Sequence, residues 1–595
     1  TNGQNIQGGV VGAPYASFLL GLVDSGNIAY PPQARVGQYA WGFFAQDTWK
    51  ISRKFTLDYG LRYDFQNYPK EQYGRYANFS PTVPNPSAGG RLGAVIFEGD
   101  GPGHCNCNFA NIYPFAFGPR LGAAYQINQK TVLRGGWGIV YTGTGDANGA
   151  TQGALTAFSP FNAPSFGAPV LNLRTGIPLA PPPFPNFDVG QYPQAGYATT
   201  QSPGTFYDQN AGRPARQIQW SIGLQRQLTK DLAVEANYVA NRGVWWNSPN
   251  LIDVNALTPE RIAAAGLNIA NTNDLTLLTS RIDSATAVSR GFSTKLPFAG
   301  YPGSGTVAQS LRPFPQFTSI VSLFSPLGKT WYDSLQMKVT QRYSHGLSAT
   351  VNLTWAKQLA LGNATNPVVP AALTGNNDVF NRNQNKYISP FDQPLILNAA
   401  INYQTPKLKL GDGMVKQAAS WVARDWQLGG FVNYSSGLPI QAPLAQNNLN
   451  TVLFRSTYAN RNPDVPLFTQ DLNCHCFDPN KTFVLNPAAW SDPARGQFGT
   501  AAGYYSDYRN QRRPVENLAL GREFRVKERY TLNIRMEFTN VFNRPNAPNP
   551  TSTNALASQT RNASGAATAG FGWINTSTVS AASSRQGTIV ARFRF

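Results

Sequence analysis

The chain has 595 residues, of which 13% are charged, 12% aromatic and 42% hydrophobic, with 55 Gly and 44 Pro. That charge density is about half that of ordinary soluble domains (~25%), mean hydropathy is -0.30, and no run of 18 or more apolar residues appears, so neither a large soluble core nor a bundle of membrane helices fits. The net charge of +19 comes without a clustered basic run or a recognisable nucleic-acid-binding module, so it reads as Arg and Lys lining a lumen or meeting anionic headgroups, and no nucleic-acid partner is expected.

In chain order, the opening Thr1-Asn-Gly-Gln-Asn5 has no Met, basic region or apolar region and reads as a mature or internal start. The best apolar stretch, 10–23, is short and interrupted by Pro14 and Ser17. Period-2 alternation then begins. Phe55, Leu57, Tyr59, Leu61 and Tyr63 alternate with Thr56, Asp58, Gly60, Arg62 and Asp64. Ala349, Val351, Leu353 and Trp355 alternate with Thr350, Asn352 and Thr354, and Leu532, Ile534, Met536 and Phe538 with Asn533, Arg535, Glu537 and Thr539. One face is apolar and the other wet, as lipid on one side and water on the other require.

Strands are predicted near 36–50, 54–65, 117–127, 131–142, 214–229, 231–243, 329–343, 346–358, 391–404, 421–436, 511–526, 529–543, 570–578 and 585–595. Very short polar connections fall at 51–54, 128–130, 229–231, 344–346 and 527–529. Long segments lie between them at 66–116, 143–213, 244–328 and 438–510. Short turns alternating with long loops are the asymmetry of an outer-membrane barrel, with periplasmic turns at one end and extracellular loops at the other. The predicted fold class is therefore all-β: a transmembrane antiparallel up-and-down β-barrel with about 14 strands in this chain. Trp41, Trp49, Trp245, Trp246, Trp331, Trp355 and Trp426 are read as interfacial girdle residues. Within the loops, the Pro-rich tract at 180–185 excludes interior strands. Thr258-Pro259-Glu260 predicts the start of a helix that stops at Gly266 and decorates an extracellular loop.

Several of these segments carry a resemblance. Trp41-Gly-Phe-Phe-Ala-Gln-Asp-Thr-Trp-Lys50 with Leu57-Asp-Tyr-Gly-Leu-Arg-Tyr-Asp64, Leu311-Arg-Pro-Phe-Pro-Gln-Phe317 with Tyr332-Asp-Ser-Leu-Gln336, Trp426-Gln-Leu-Gly-Gly430, and Glu537-Phe-Thr-Asn-Val-Phe-Asn-Arg-Pro-Asn546 are similar to signatures of TonB-dependent outer-membrane receptors, specifically the Oar-like branch. The resemblance implies a barrel of 22 strands preceded by a regulatory-like domain, a TonB box and a plug. None of these is recognisable in this chain, which is expected to be the barrel region over residues 1–595. It also implies partners: outer-membrane lipid and lipopolysaccharide, the outer-membrane assembly machinery, TonB through an upstream segment, and an unknown bulky extracellular ligand. The terminal aromatic Phe595 looks like the signal read by that assembly machinery. A surface adhesion protein without import and a passive 14-stranded channel are the alternatives.

Enzymatic constellations are largely missing, and no cofactor is expected. Asp58, Asp64 and Glu537 are expected to pair with Arg62 and Arg535 along the barrel wall. His345 reads as a polar turn residue. The one sharp grouping is His104-Cys105-Asn106-Cys107 and Cys474-His475-Cys476, two Cys-x-Cys clusters in long loops. Outside the cytoplasm such thiols are expected to be oxidised, with pairing across the two loops favoured over short bridges within each cluster. A zinc or copper(I) site built from His104, Cys105, Cys107, Cys474, His475 and Cys476 is the alternative, although Cys-x-Cys is not the usual zinc spacing.

Overall fold

A strand that crosses lipid must place every backbone N–H and C=O in a ladder, so each alternating segment needs a neighbour on either side. In the computed structural model thirteen such segments pair consecutively and antiparallel into one continuous sheet. We number them β1 (Ala40–Lys50), β2 (Phe55–Gln66), β3 (Ala116–Asn128), β4 (Thr131–Tyr141), β5 (Arg216–Gln227), β6 (Leu232–Asn247), β7 (Pro326–Ser344), β8 (Leu347–Leu361), β9 (Leu395–Gln404), β10 (Trp426–Ser435), β11 (Val515–Val526), β12 (Tyr530–Thr539) and β13 (Gln586–Arg594). The structure describes residues 4–6, 9–11, 14–23, 25–30, 35–142, 157–162, 169–176, 187–190, 205–323, 325–362, 377–406, 413–447, 449–474, 476–526, 530–544, 547–578 and 584–595. The turn expected at 527–529, the Pro-rich tract at 180–185 and His475 lie outside them.

The sheet has fourteen members, as expected, but its fourteenth is not the segment 570–578. It is the short strand Lys386–Ile388, which pairs with the outer end of β8. Residues 570–578 instead join a loop core: Phe571 and Ile574 are buried there, and the Gly572 amide bonds the Thr551 carbonyl at 2.8 Å. Gly570 and Gly572 hold φ of 116° and 81°, which a strand does not use. The start of β10 is also later than expected. Residues Met414–Ala423 form a helix, and the ladder resumes only at Trp426. Among the described residues no pairing joins β1 to β13.

Register confirms the two faces. Leu520 lies opposite Met536, Phe524 opposite Leu532, and Leu532 and Met536 opposite Phe593 and Ile589. The outward face of β11 to β13 is thus apolar over most of its height, interrupted on β11 by Arg522 opposite Ile534. The other face carries Gln217, Gln219, Asn237, Asn241, Gln336, Lys338, Asn352, Asn398, Asn402 and Asn433 at matching positions of β5 to β10. Arg62 pairs with Asp64 at 2.8 Å, and Arg535 with Glu537. Asp58 departs from the expected pairing and accepts a bond from the Thr48 hydroxyl at 2.6 Å.

Because every pair is sequential, the short turns share one end and the long connections the other. At the short end His345 and Gly346 take φ of 51° and 84°, the tight hairpin geometry in which both central residues are left-handed. Ser52 caps the first turn by accepting from the Phe55 amide at 3.1 Å, and Asn128 caps the second through the Lys130 amide at 2.9 Å. At the long end β6, β7 and β8 run 16, 19 and 15 residues, beyond the ~9–11 needed to cross a bilayer. Trp41 and Trp331 stand toward the long end on the outward face, and Trp49 and Trp426 toward the short end. Trp245 sits at the rim with the guanidinium groups of Arg213 and Arg216 over its ring at 4.8 and 4.4 Å. Among the described residues no helix is long and apolar enough to cross a membrane.

The face assignment makes a direct prediction. Arg in place of Leu532, Ile534 or Phe538 should destabilise the barrel by about 2–4 kcal/mol where the position nears the bilayer midplane, with a milder effect at Asn533 or Thr539. Reversible unfolding in lipid vesicles reads the difference, and an equal response of the two faces would contradict it.

Candidate functional site

Six long connections meet at the extended end, at 67–115, 142–215, 248–325, 362–394, 436–514 and 540–585. Their described residues pack into cores of their own. In the first, the hairpin Ala77–Asn85 with Arg91–Phe97 buries Phe79, Val95 and Phe97 against Phe317 and Ile320 of the third. The second reaches the same hairpin where the Tyr207 amide bonds the Asn78 side chain at 2.9 Å. In the third, the short helices Pro259–Ala264, Thr272–Thr279, Ala285–Ser289 and Val307–Ser310 enclose a Leu-rich cluster completed by Leu449, Val452 and Leu453 of the fifth. The helix expected after Thr258 is present, with the Thr258 hydroxyl accepting from the Arg261 amide at 3.4 Å. It is a packed element rather than a decoration, since Ile262 is fully buried.

Polar bonds lock the connections together. Arg455 pairs with the buried Asp253 at 2.6 Å, joining the fifth to the third, and Arg509 pairs with the buried Asp392 at 2.5 Å, joining the fifth to the fourth. The Gln316 amide donates to the Leu92 and Gly93 carbonyls at 2.9 Å each. The motif Leu311 to Phe317 is the hub of this knot. Arg312, buried, donates to the Asn255 carbonyl at 2.8 Å and the Thr318 carbonyl at 2.5 Å, and its guanidinium lies over the Phe454 ring at 4.3 Å. Burial lowers the Arg312 pKa to about 10, against an opposing pull from Asp253, so it stays a cation at neutral pH. Most large loop aromatics are consumed in these cores. Tyr68, Tyr76, Phe79, Phe97, Phe317, Tyr508 and Phe571 are almost wholly buried, and they pack protein rather than present stacking platforms.

What the cap exposes for chemistry is polar. A cleft of about 530 Å³ is lined by Ser436, Gly437, Phe468, Asp471, Asn473, Asp507, Arg509 and Arg512, among others, where β10 enters and β11 leaves the fifth connection. A second depression of about 360 Å³ shares Phe468 and Asp507 and adds Arg461 and Asp464. Arg461 and Asp507 pair at 2.7 Å, and this hydrogen bond to Asp507 holds the guanidinium pKa above its ordinary value. The Arg512 amide bonds the Asn473 side chain at 2.9 Å. Such a wall of charges and amides offers directional hydrogen bonds to a polar ligand.

The structure closes the cysteines within each cluster, Cys105 to Cys107 and Cys474 to Cys476, each with Cα atoms 5.1 Å apart. The favoured pairing across the two loops is not the one observed. The physical reason is local: Asn106 takes φ of 51°, a conformation Asn tolerates, while the Cys105 amide bonds the Phe97 carbonyl and the Gly99 amide the Cys107 carbonyl. A tight turn thus brings both sulfurs together, with Cα separation inside the usual disulfide range. Asp471, Leu472 and Asn473, which directly precede Cys474 in the chain, line the polar cleft. His104 bonds the Pro102 carbonyl at 3.1 Å and packs on Phe187 at 4.4 Å. No grouping of three His, Cys, Asp or Glu suited to a metal occurs among the described residues. Phe595 is exposed beyond β13, stacked at 6.1 Å on Phe593, itself stacked on Tyr530.

Sequence reasoning missed Glu98, which has no motif around it. It lies buried beneath the Cys105–Cys107 turn and accepts from the Phe109 amide at 3.2 Å. Burial pushes its carboxyl up to about 7, partly offset by that amide. A non-reduced digest should contain Cys105–Cys107 and Cys474–Cys476 linked within single peptides; four alkylatable thiols, or protected thiols with stoichiometric zinc or copper, would refute this. For Glu98 the folded pKa lies above the unfolded one, so its contribution is full below the ordinary carboxylate range and is lost as pH rises toward about 7. Protection factors of the Phe109 amide should fall between about pH 5 and pH 8 and stay level in Glu98→Gln, which keeps the acceptor without the charge.

The family described as "Outer membrane beta barrel domain" matches residues 1–587. No curated protein matches the chain. Among solved structures it is similar to the ferric-catecholate import receptor Fiu from K12 E. coli (12% identity, 86% of this chain and 42% of that one, TM-score 0.34). It is also similar to the ferric yersiniabactin uptake receptor FyuA from Yersinia pestis (9%, 96% and 47%, 0.35) and the outer membrane transporter YddB from Escherichia coli (11%, 94% and 54%, 0.35). The chain spans 42% to 54% of the length of these three proteins. With an apolar outward wall, a polar inward wall and a match over nearly its whole length, the chain belongs to the outer-membrane β-barrel domain family and is a protein of the outer membrane.

Proposed function

We propose that the chain is the barrel region of a TonB-dependent receptor of the Oar-like kind, whose loop cap captures a bulky polar extracellular ligand for passage through the lumen. The observation that carries this reading is the asymmetry of the sheet. One end closes in tight turns, while the other spends most of its connecting residues on a packed cap with a polar cleft beside β10 and β11. The inward wall of amides and paired charges supports a hydrated path. In this reading a plug and a TonB box stand upstream, and Phe595 serves as the assembly signal.

The test is uptake by intact cells carrying or lacking the gene, with a panel of labelled oligosaccharides, peptides and ferric chelates, in the presence and absence of a protonophore. One class should accumulate only with the protein and only with an energised membrane, and Asp471→Ala with Arg512→Ala should reduce its capture. Surface binding that persists under protonophore with no accumulation would replace import with adhesion.

A further inference from the structure

At the short-turn end one connection differs from the rest. Between β9 and β10 the chain leaves the hairpin at Thr405 and returns at Trp426, and these two close its base: the Thr405 amide bonds the Trp426 carbonyl, and the Trp426 amide bonds the Thr405 hydroxyl, each at 2.9 Å. The excursion carries the ten-residue helix Met414–Ala423. At about 100° per residue, Trp421, Met414, Ala418, Val422, Val415 and Ala419 form one continuous apolar side, and Lys416, Gln417 and Ser420 the other. The apolar side is uncovered: Met414 is 89% exposed, Val415 83%, Val422 56% and Trp421 50%.

The helix is fixed to the barrel by its last turn, and on the outward wall. Arg522 occupies the same face of β11 as Leu518, Leu520 and Phe524, opposite Ile534. Its guanidinium donates to the Trp421 carbonyl and is enclosed by the rings of Trp421, Phe524 and Trp426 at 4.3, 4.9 and 5.5 Å. The Trp426 indole donates to the Val422 carbonyl at 2.6 Å. A buried cation thus satisfies the open carbonyl end of the helix, where the helix dipole favours it. The Trp421 ring meets Phe524 at 6.2 Å, so the apolar side of the helix continues the lipid-facing band of the barrel at its periplasmic rim. Lys416 and Arg424 are exposed beside it.

We propose that Met414–Ala423 is an interfacial helix that lies on the periplasmic leaflet of the outer membrane, with its apolar side among the upper acyl chains and Lys416 and Arg424 at the phosphate level. Continuity with the lipid-facing wall and the placement of the cations select phospholipid as the occupant. The helix fixes the depth of the barrel at the end where the other described connections are too short to do so. This inference rests on membrane placement alone and is independent of the transport reading.

The test uses the full-length protein in phosphatidylethanolamine–phosphatidylglycerol vesicles, with an environment-sensitive fluorophore on Val415→Cys and, separately, on Lys416→Cys. The native cysteines are bridged, so only the introduced thiol reacts. A nitroxide on an upper acyl carbon should quench the label at position 415 about threefold more than at 416, as a shallow interfacial depth requires. Aqueous iodide should reverse the order. Weak lipid quenching with equal iodide quenching at both positions would overturn the proposal. So would lipid protection that appears only at high protein-to-lipid ratio, which would assign the face to a second copy. Ala418→Cys, on the same side of the helix, repeats the readout if the Val415 variant fails to assemble.

Discussion

The rest of the molecule depends on one requirement: a backbone that enters hydrocarbon has no water to bond, so every amide and carbonyl must find a partner in an adjacent strand. The consecutive ladder meets it for β2 to β12, each of which is paired on both sides. Once strands are committed to the ladder, side chains have only two directions, and lipid and water sort them. Hence Leu532, Ile534, Met536 and Phe538 share one face and Arg535 and Glu537 the other. On the wet face Arg62 pairs with Asp64 and Arg535 with Glu537, each within its own strand.

The ladder says nothing about the connections at its long end. Ordering connections of this length is entropically costly, and the cap offsets that cost by giving them cores of their own and by buried polar bonds between loops. Arg312 shows how. A cation in the interior is tolerated because carbonyls and an aromatic face replace its water, and each replacement comes from a segment that must be in place. Packing the aromatics inward also sets the chemistry of the outer surface. The cleft beside β10 and β11 displays Asp471, Asn473, Asp507 and Arg512, polar and charged groups rather than aromatic faces.

Much of the architecture was legible in the sequence because it is local. Period-2 alternation is a property of a few successive residues, so the faces of β2, β8 and β12, the tight turn at His345, and the division into short and long connections can be read along the chain. Two misreadings have local causes as well. Around Phe571 to Ile574 small and apolar residues alternate as in a strand, yet the left-handed Gly570 and Gly572 turn the chain into a loop core. Before Trp426 the apolar residues Val422 and Ala423 extend the appearance of β10 backward, although helical spacing governs them.

By itself, then, the sequence determined the fold class, the two faces of each strand and the end at which the long loops lie, because lipid and water act on each residue separately. Only the tertiary structure decided that 570–578 leaves the sheet and that each Cys-x-Cys closes on itself, the first around a left-handed Asn106. It alone brought Asp253 to Arg455 and Asp392 to Arg509, and laid the helix at Met414 against Arg522. Those outcomes join residues distant in the chain, or depend on backbone angles that neighbours impose, and no periodicity encodes either.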